Sequence, residues 1–153
     1  MQNAIQVKAP EYFLGSIVVT QQNTTEPENV VDGQQRIATT MIVLAAIRDY
    51  FCGVSDERRA EDIDRPYLIT RDFSTGTSTP KLVMNDADRD YFTNRILMRP
   101  GTSERTEAES RVLTKDSHKL INDAAKKIKI KIDELVNKHD PPPSQSRCAG
   151  GMV

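Results

Sequence analysis

The chain has 153 residues, 37% of them hydrophobic and 28% charged, with a formal net charge of -1 and no tryptophan. That length suits one domain with a reasonable core. A charge near zero argues against a generally basic nucleic-acid binder, though not against a single basic face. No apolar run reaches the roughly 18 residues of a spanning helix, and the opening MQNAIQVKAP lacks the apolar core of a secretory signal. Cys52 closes an apolar segment and Cys148 sits in a Pro-, Ser- and Gly-rich end. A disulfide between such places is not expected, and the pair suits a reducing, cytoplasmic compartment.

In chain order, the β-branched end of EYFLGSIVVT predicts a strand over 16–20, and QQNTTEPEN reads as a loop. A second short strand over 29–31 then pairs with the first. From Gln35 onward, Ile37, Met41, Leu44, Ala45, Ile47 and Phe51 recur at intervals of three and four. This predicts an amphipathic helix that runs to about Phe51 and stops at Gly53. RPYLITRDF and PKLVMND flank the turn-like STGTST and suggest a second hairpin. NDADRDYFTNRIL opens with Asn85 or Asp86 as a helix cap, with Tyr91, Phe92, Ile96 and Leu97 as its buried stripe.

MRPGTSERTE reads as a linker-like break before one long helix over 107–137, with Leu113, Leu120, Ile121, Ala125, Ile128 and Ile132 among its apolar positions. Its lysines fall mostly on other faces, as on a solvated helix. DPPPSQSRCAGGMV ends that helix, so a domain over 11–138 and a disordered Pro-rich tail over 139–153 are expected.

The stretch VVDGQQRIATT places a carboxylate, a glycine, two amides and a guanidinium at a strand-to-helix junction. One reading is a well-made helix start: Asp32 caps, Gly33 relieves the backbone, and Gln35 stands three residues on, as in a capping box. The other is an anion site with the same geometry. Helix-start N–H groups and the helix dipole attract phosphate, and Gly33 lets it approach. Arg36 clamps it, and Asp32 holds a divalent metal bound to it. Gln34 or Gln35 orients water or a base edge. Thr39 and Thr40 add hydroxyls, although threonine in a helix often bonds back to the chain. The turn alone leaves both readings open.

YFLGSIVV, VVDGQQRIATTMIVLAAIRDYF, PKLVMNDADRDYFTNRIL and DSHKLINDAAKKI occur in this order. Together they resemble the N-terminal domain of GmrSD-type, modification-dependent restriction endonucleases, from about Glu11 to Val136. The resemblance implies an α/β (α+β) fold: a small mixed sheet with a ParB/sulfiredoxin-like nucleotide-binding turn, then a mainly helical half. In that fold group a Gly-x-x-Arg turn at a helix start binds nucleotide phosphates, and Gly33 and Arg36 stand at the matching positions. Also implied are nucleoside triphosphate (NTP) binding and hydrolysis with Mg, coupled to cleavage of modified DNA. On this reading Asp32, Gln35 and Arg36 are catalytic, and Gly33, Gln34, Arg36, Thr39 and Thr40 bind nucleotide. Asp32 is the metal ligand. The expected partners are nucleotide and, through a nuclease domain or partner chain, DNA, with no membrane.

Two departures lead us to expect a fragment. The Arg-, Tyr- and Trp-bearing segment that usually precedes the GSI strand is not found, and no His-Asn-His nuclease follows Val136. A non-catalytic nucleotide- or DNA-binding adaptor, or an inactive remnant, is therefore the alternative function. Among other candidates, His118 reads as a surface or packing residue and His139 as a helix-end cap. Asp86, Asp88 and Asp90 do not converge on one helix face, so Asp86 is expected to cap and Asp88 or Asp90 to pair with Arg89 or Arg95. Cys52 lies at the wrong end of its helix for a redox role beside Gly33.

Overall fold

The computed structural model describes residues 15–20, 28–71, 74–75 and 77–139. The 21–27 loop, Cys148 and the tail beyond 139 lie outside these residues, as does the His139 side chain with its expected capping role. The chain divides into two compact units, Met1–Ala38 and Thr39–Val153. The mixed class of helices and strands expected from the sequence holds. Its strands, however, pair among the described residues as two separate antiparallel hairpins and not as one mixed sheet.

In the first unit, β1 (Val18–Thr20) pairs with β2 (Asn29–Asp32). The register runs Val18 to Asp32, Val19 to Val30 and Thr20 to Asn29, which leaves Val31 as the extra residue of a bulge. Bulges bend a strand and re-aim the side chains beside it; here the bulge immediately precedes Asp32 and the turn into α1 (Gln34–Gly53).

The second unit carries most of α1 and all the remaining elements. Met41, Ile42, Ala45 and Arg48 form the buried face of α1, while Leu44, Ile47 and Phe51 are only half-buried. The expected stripe is thus rotated by about one position, because a buried arginine, absent from any apolar count, holds its centre. α2 (Glu57–Ile63) is capped by Asp56, whose carboxylate accepts from the Arg59 N–H at 3.1 Å. A π-helical turn, Asp64–Leu68, follows directly. The segment expected to open the second hairpin is therefore mostly helical. The strands are shorter and later: β3 (Ile69–Arg71) pairs with β4 (Ser78–Pro80).

α3 (Arg89–Phe92) runs into a second π-helical turn, Thr93–Leu97. The expected stripe is here: Tyr91, Phe92, Ile96 and Leu97 are all buried. Burying side chains of this size stabilises by roughly 1.5–3 kcal/mol each. The cap differs from expectation in part. Asn85 supplies the turn, its side chain accepting from the Asp88 N–H at 3.0 Å, whereas Asp86 pairs with Arg89 at 2.7 Å on the surface. Asp88 takes the capping position.

The single long helix is also corrected to two, α4 (Ser103–Ser110) and α5 (Asp116–His139), with a break between them. The expected linker contains the start of α4. Thr102 caps it by accepting from the Arg105 N–H at 3.3 Å, just after Gly101 turns the chain at φ 84°. A Thr cap and a left-handed glycine are strong local start signals, and they override the apolar spacing that suggested a later start. α5 packs on α3, with His118 buried and stacked on Tyr91 at 4.3 Å and 15°. The packing reading of His118 holds.

Candidate functional site

Helix α1 opens with the Gly33 carbonyl accepting from the Ile37 N–H at 3.0 Å, so Gly33, not Asp32, occupies the capping position. Gly33 is buried with φ 90°, a backbone that side chains other than glycine adopt only with strain. A Cβ there would also stand 3.1 Å from Cγ1 of Ile17. Both reasons demand glycine. The Asp32 carboxylate folds over the turn, accepting the Gly33 N–H at 2.8 Å through Oδ1, and its Oδ2 lies 3.5 Å from Arg36 Nη2. These two side chains remain open to solvent, at 61% and 42% exposure.

Arg36 reaches back to the approach of β1, where Nη1 donates to the Ser16 carbonyl at 2.6 Å. It rests against Gly15, which has φ 93°. A Cβ on Gly15 would fall 2.1 Å from Nη1 of Arg36. Gln34 donates from Nε2 to the Val30 carbonyl at 2.7 Å, and Gln35 is exposed at the next position. The structure therefore gathers Asp32, Gly33, Gln34, Gln35 and Arg36 at one turn. It adds Gly15 and Ser16, which sequence reasoning passed over. The signal available for them was the Gly-Ser pair at the head of the strand. Thr39 and Thr40 are exposed on α1 in the second unit.

Chemically, the turn offers one exposed carboxylate, one half-exposed guanidinium and the N–H groups of a helix start, which by geometry lack intrahelical acceptors. That set suits a phosphate with a hard cation attached. Among the described residues, no three His, Cys, Asp or Glu side chains gather as a metal cage. Asp32 would thus be one protein ligand to a metal otherwise held by phosphate and water. The Asp86, Asp88 and Asp90 segment is occupied differently. Asp88 accepts from Ser117 Oγ at 2.6 Å and lies 3.4 Å from His118 Nε2, while Arg89 pairs with Asp86 and Arg95 with Glu109 in place of the pairing expected with Asp88 or Asp90.

A second polar assembly, unforeseen from the sequence, lies in the second unit. Arg48 is fully buried and every one of its N–H groups has an acceptor. Nε and Nη2 donate to Asp49 Oδ1 at 2.9 and 2.7 Å, and Nη1 donates to Asp64 Oδ1 at 2.9 Å. The rest go to the carbonyls of Ile96, Leu97 and Met98. Those carbonyls lie at the end of the second π-helical turn, and that of Leu97 has no other donor among the described residues. Arg105 serves two of them as well and reaches Asp49 Oδ2 at 2.9 Å. Arg99 binds Asp64 Oδ2 at 2.6 Å and also Glu57. Burial works against its charge, but these hydrogen bonds hold the Arg99 pKa above its ordinary value. This assembly ties together α1, the two π-helical turns and α4; its role is to hold the fold.

The family model of the GmrSD restriction endonuclease N-terminal domain matches residues 2–140, a span wider at both ends than the resemblance from Glu11 to Val136. The chain belongs to that family, and its coarse function is that of a restriction-system component. No curated protein and no solved structure matches it. No helix among the described residues is long and apolar enough to cross a membrane.

Proposed function

We propose that the 32–36 turn binds the phosphates of a nucleoside triphosphate. The domain hydrolyses that nucleotide with a divalent metal, as part of a modification-dependent DNA restriction system. The observation that carries this reading is the meeting of a helix start, a left-handed glycine and an anchored guanidinium in a chain of the GmrSD family. Gly33 gives the left-handed turn that aims the first N–H groups of the helix at a phosphate, and Arg36 neutralises it. Asp32 contributes a carboxylate to the metal, and Gln34 and Gln35 orient the nucleotide and a water. Phosphoryl transfer rests on positioning and charge stabilisation, which these residue types supply. Thr39 and Thr40 offer further hydroxyls to the nucleotide. DNA is engaged through a nuclease domain or partner chain, and the cysteine usage fits a cytoplasmic setting.

A non-catalytic module is the second reading, and one observation favours it. Arg36 already binds the Ser16 carbonyl and faces Asp32, so the turn is internally satisfied as a joint. Phosphate release from a panel of nucleoside triphosphates with magnesium separates the two readings. Hydrolysis that disappears in Asp32→Asn, a change that keeps an acceptor for the Gly33 N–H, supports the first. Nucleotide binding without any phosphate release supports the second.

A further inference from the structure

The second unit contains a cleft of about 240 Å³ between α1, the second π-helical turn, α4 and α5. Its floor is apolar and includes Ala45, Ala46, Ala125 and Ile132, and its polar wall carries Arg95, Arg105 and Glu109. Pockets for drug-sized ligands start at roughly 300 Å³, so this one suits something smaller.

The charges around it are unevenly committed. Asp49 is taken by Arg48 and Arg105, and Asp133 by Lys129 at 3.5 Å. Glu109 gives Oε1 to Arg105 at 2.7 Å, so Arg95 shares that same oxygen at 3.3 Å. Arg95 is buried, donates to Asn122 Oδ1 at 3.1 Å and lies beside the Tyr91 hydroxyl, so Glu109 is its one acidic ion-pair partner among the described residues. Burial, and after it the neighbouring Arg105, lowers the Arg95 pKa from its ordinary value. One turn beyond Asn122 on α5, Lys126 lines the same cleft and has no acidic partner among the described residues. The surplus charge is positive. Arg95 and Ile96 also belong to a π-helical turn, an irregularity that recurs at functional sites.

We infer that this cleft binds a small organic anion. Its acidic head, a carboxylate or a phosphate ester, lies against Arg95 and Lys126, and its short apolar body lies against Ala45, Ala46 and Ile132. The site is separate from the 32–36 turn and does not depend on the nucleotide reading.

The test is amide NMR of the full chain titrated with phenyl phosphate, benzoate or inorganic phosphate. Saturable shifts at Ala46 and Ala125 are expected with at least one of the two aromatic anions, the tighter one identifying the head group. Inorganic phosphate should bind at least about tenfold more weakly, since it buries no apolar surface. Lys126→Ala, a surface change that spares the fold, should weaken binding about tenfold through the lost charge-assisted contact. Ala46→Leu should abolish binding by filling the cleft. Two results overturn the inference: no saturable shift with either aromatic anion in the folded wild type, or unchanged affinity in both variants.

Discussion

Arg36 lies where a side chain on Gly15 would have to stand, with Nη1 2.1 Å from the position of a Cβ there. The two residues are 21 positions apart in the chain, yet they share one space. In the position where the guanidinium meets the Ser16 carbonyl, it occupies the space a side chain at residue 15 would need.

Gly15→Ala should therefore do two things. It should cost about 1–3 kcal/mol from the left-handed backbone, and it should push Arg36 off Ser16. Gly101→Ala is the control, since Gly101 has φ 84° but open space around it. Urea unfolding of both variants should show Gly15→Ala to be the more destabilising, and nucleotide binding should fall only in Gly15→Ala.

Arg48→Met should destabilise by about 3–5 kcal/mol, the cost of breaking a buried ion-pair network by removing one member. It removes the only donors to Leu97 among the described residues as well as one of the two cations on Asp64. Chemical denaturation measures this directly. Lys119→Ala, which loses an exposed pair with Asp116, should change stability by less than about 1 kcal/mol.

Tyr91→Phe should leave the protein as stable as wild type or about 1–2 kcal/mol more so, because the Tyr91 hydroxyl is buried without a well-formed hydrogen bond. Burial, partly offset by Arg95, raises its pKa above the ordinary value of about 10. The folded state thus holds the proton more tightly than the unfolded state does. Its contribution is full below the unfolded pKa and is lost as pH rises through the folded one. The melting temperature of wild type should fall above about pH 10, and less steeply in Tyr91→Phe.

Burial also pushes the Cys52 thiol above its ordinary value, with Arg99 and Arg48 opposing. In a Cys148→Ser chain, alkylation of Cys52 at neutral pH should be slower than that of a free thiol, rising only at strongly alkaline pH. Mass spectrometry over a pH series reads this out.

Much of this fold was legible in the sequence. The first hairpin follows from its β-branched residues and α1 from its three-and-four spacing, and only the stripe of Tyr91, Phe92, Ile96 and Leu97 reported burial directly. The joining of Asp32, Gly33 and Arg36 at one turn was legible too, because these residues are neighbours in the chain. What failed to show were features set by distant partners. Arg48 reads as a surface residue until the carbonyls of Ile96, Leu97 and Met98 are brought to it. The π-helical turns leave no apolar signature, and apolar spacing across 107–137 concealed the break at 111–115. Gly15 precedes the expected strand over 16–20 and carries no signal of its own until Arg36, 21 residues on, is brought against it.

The central claim is that phosphate meets the protein at the 32–36 turn. Amide NMR of the chain with magnesium and a panel of nucleoside triphosphates tests it most directly. The account predicts saturable shifts at Gly33, Gln34 and Gln35 that are lost in Arg36→Ala, read in a variant confirmed to be folded. Saturable binding that leaves those three amides unmoved, or no binding by the folded wild type, would contradict it.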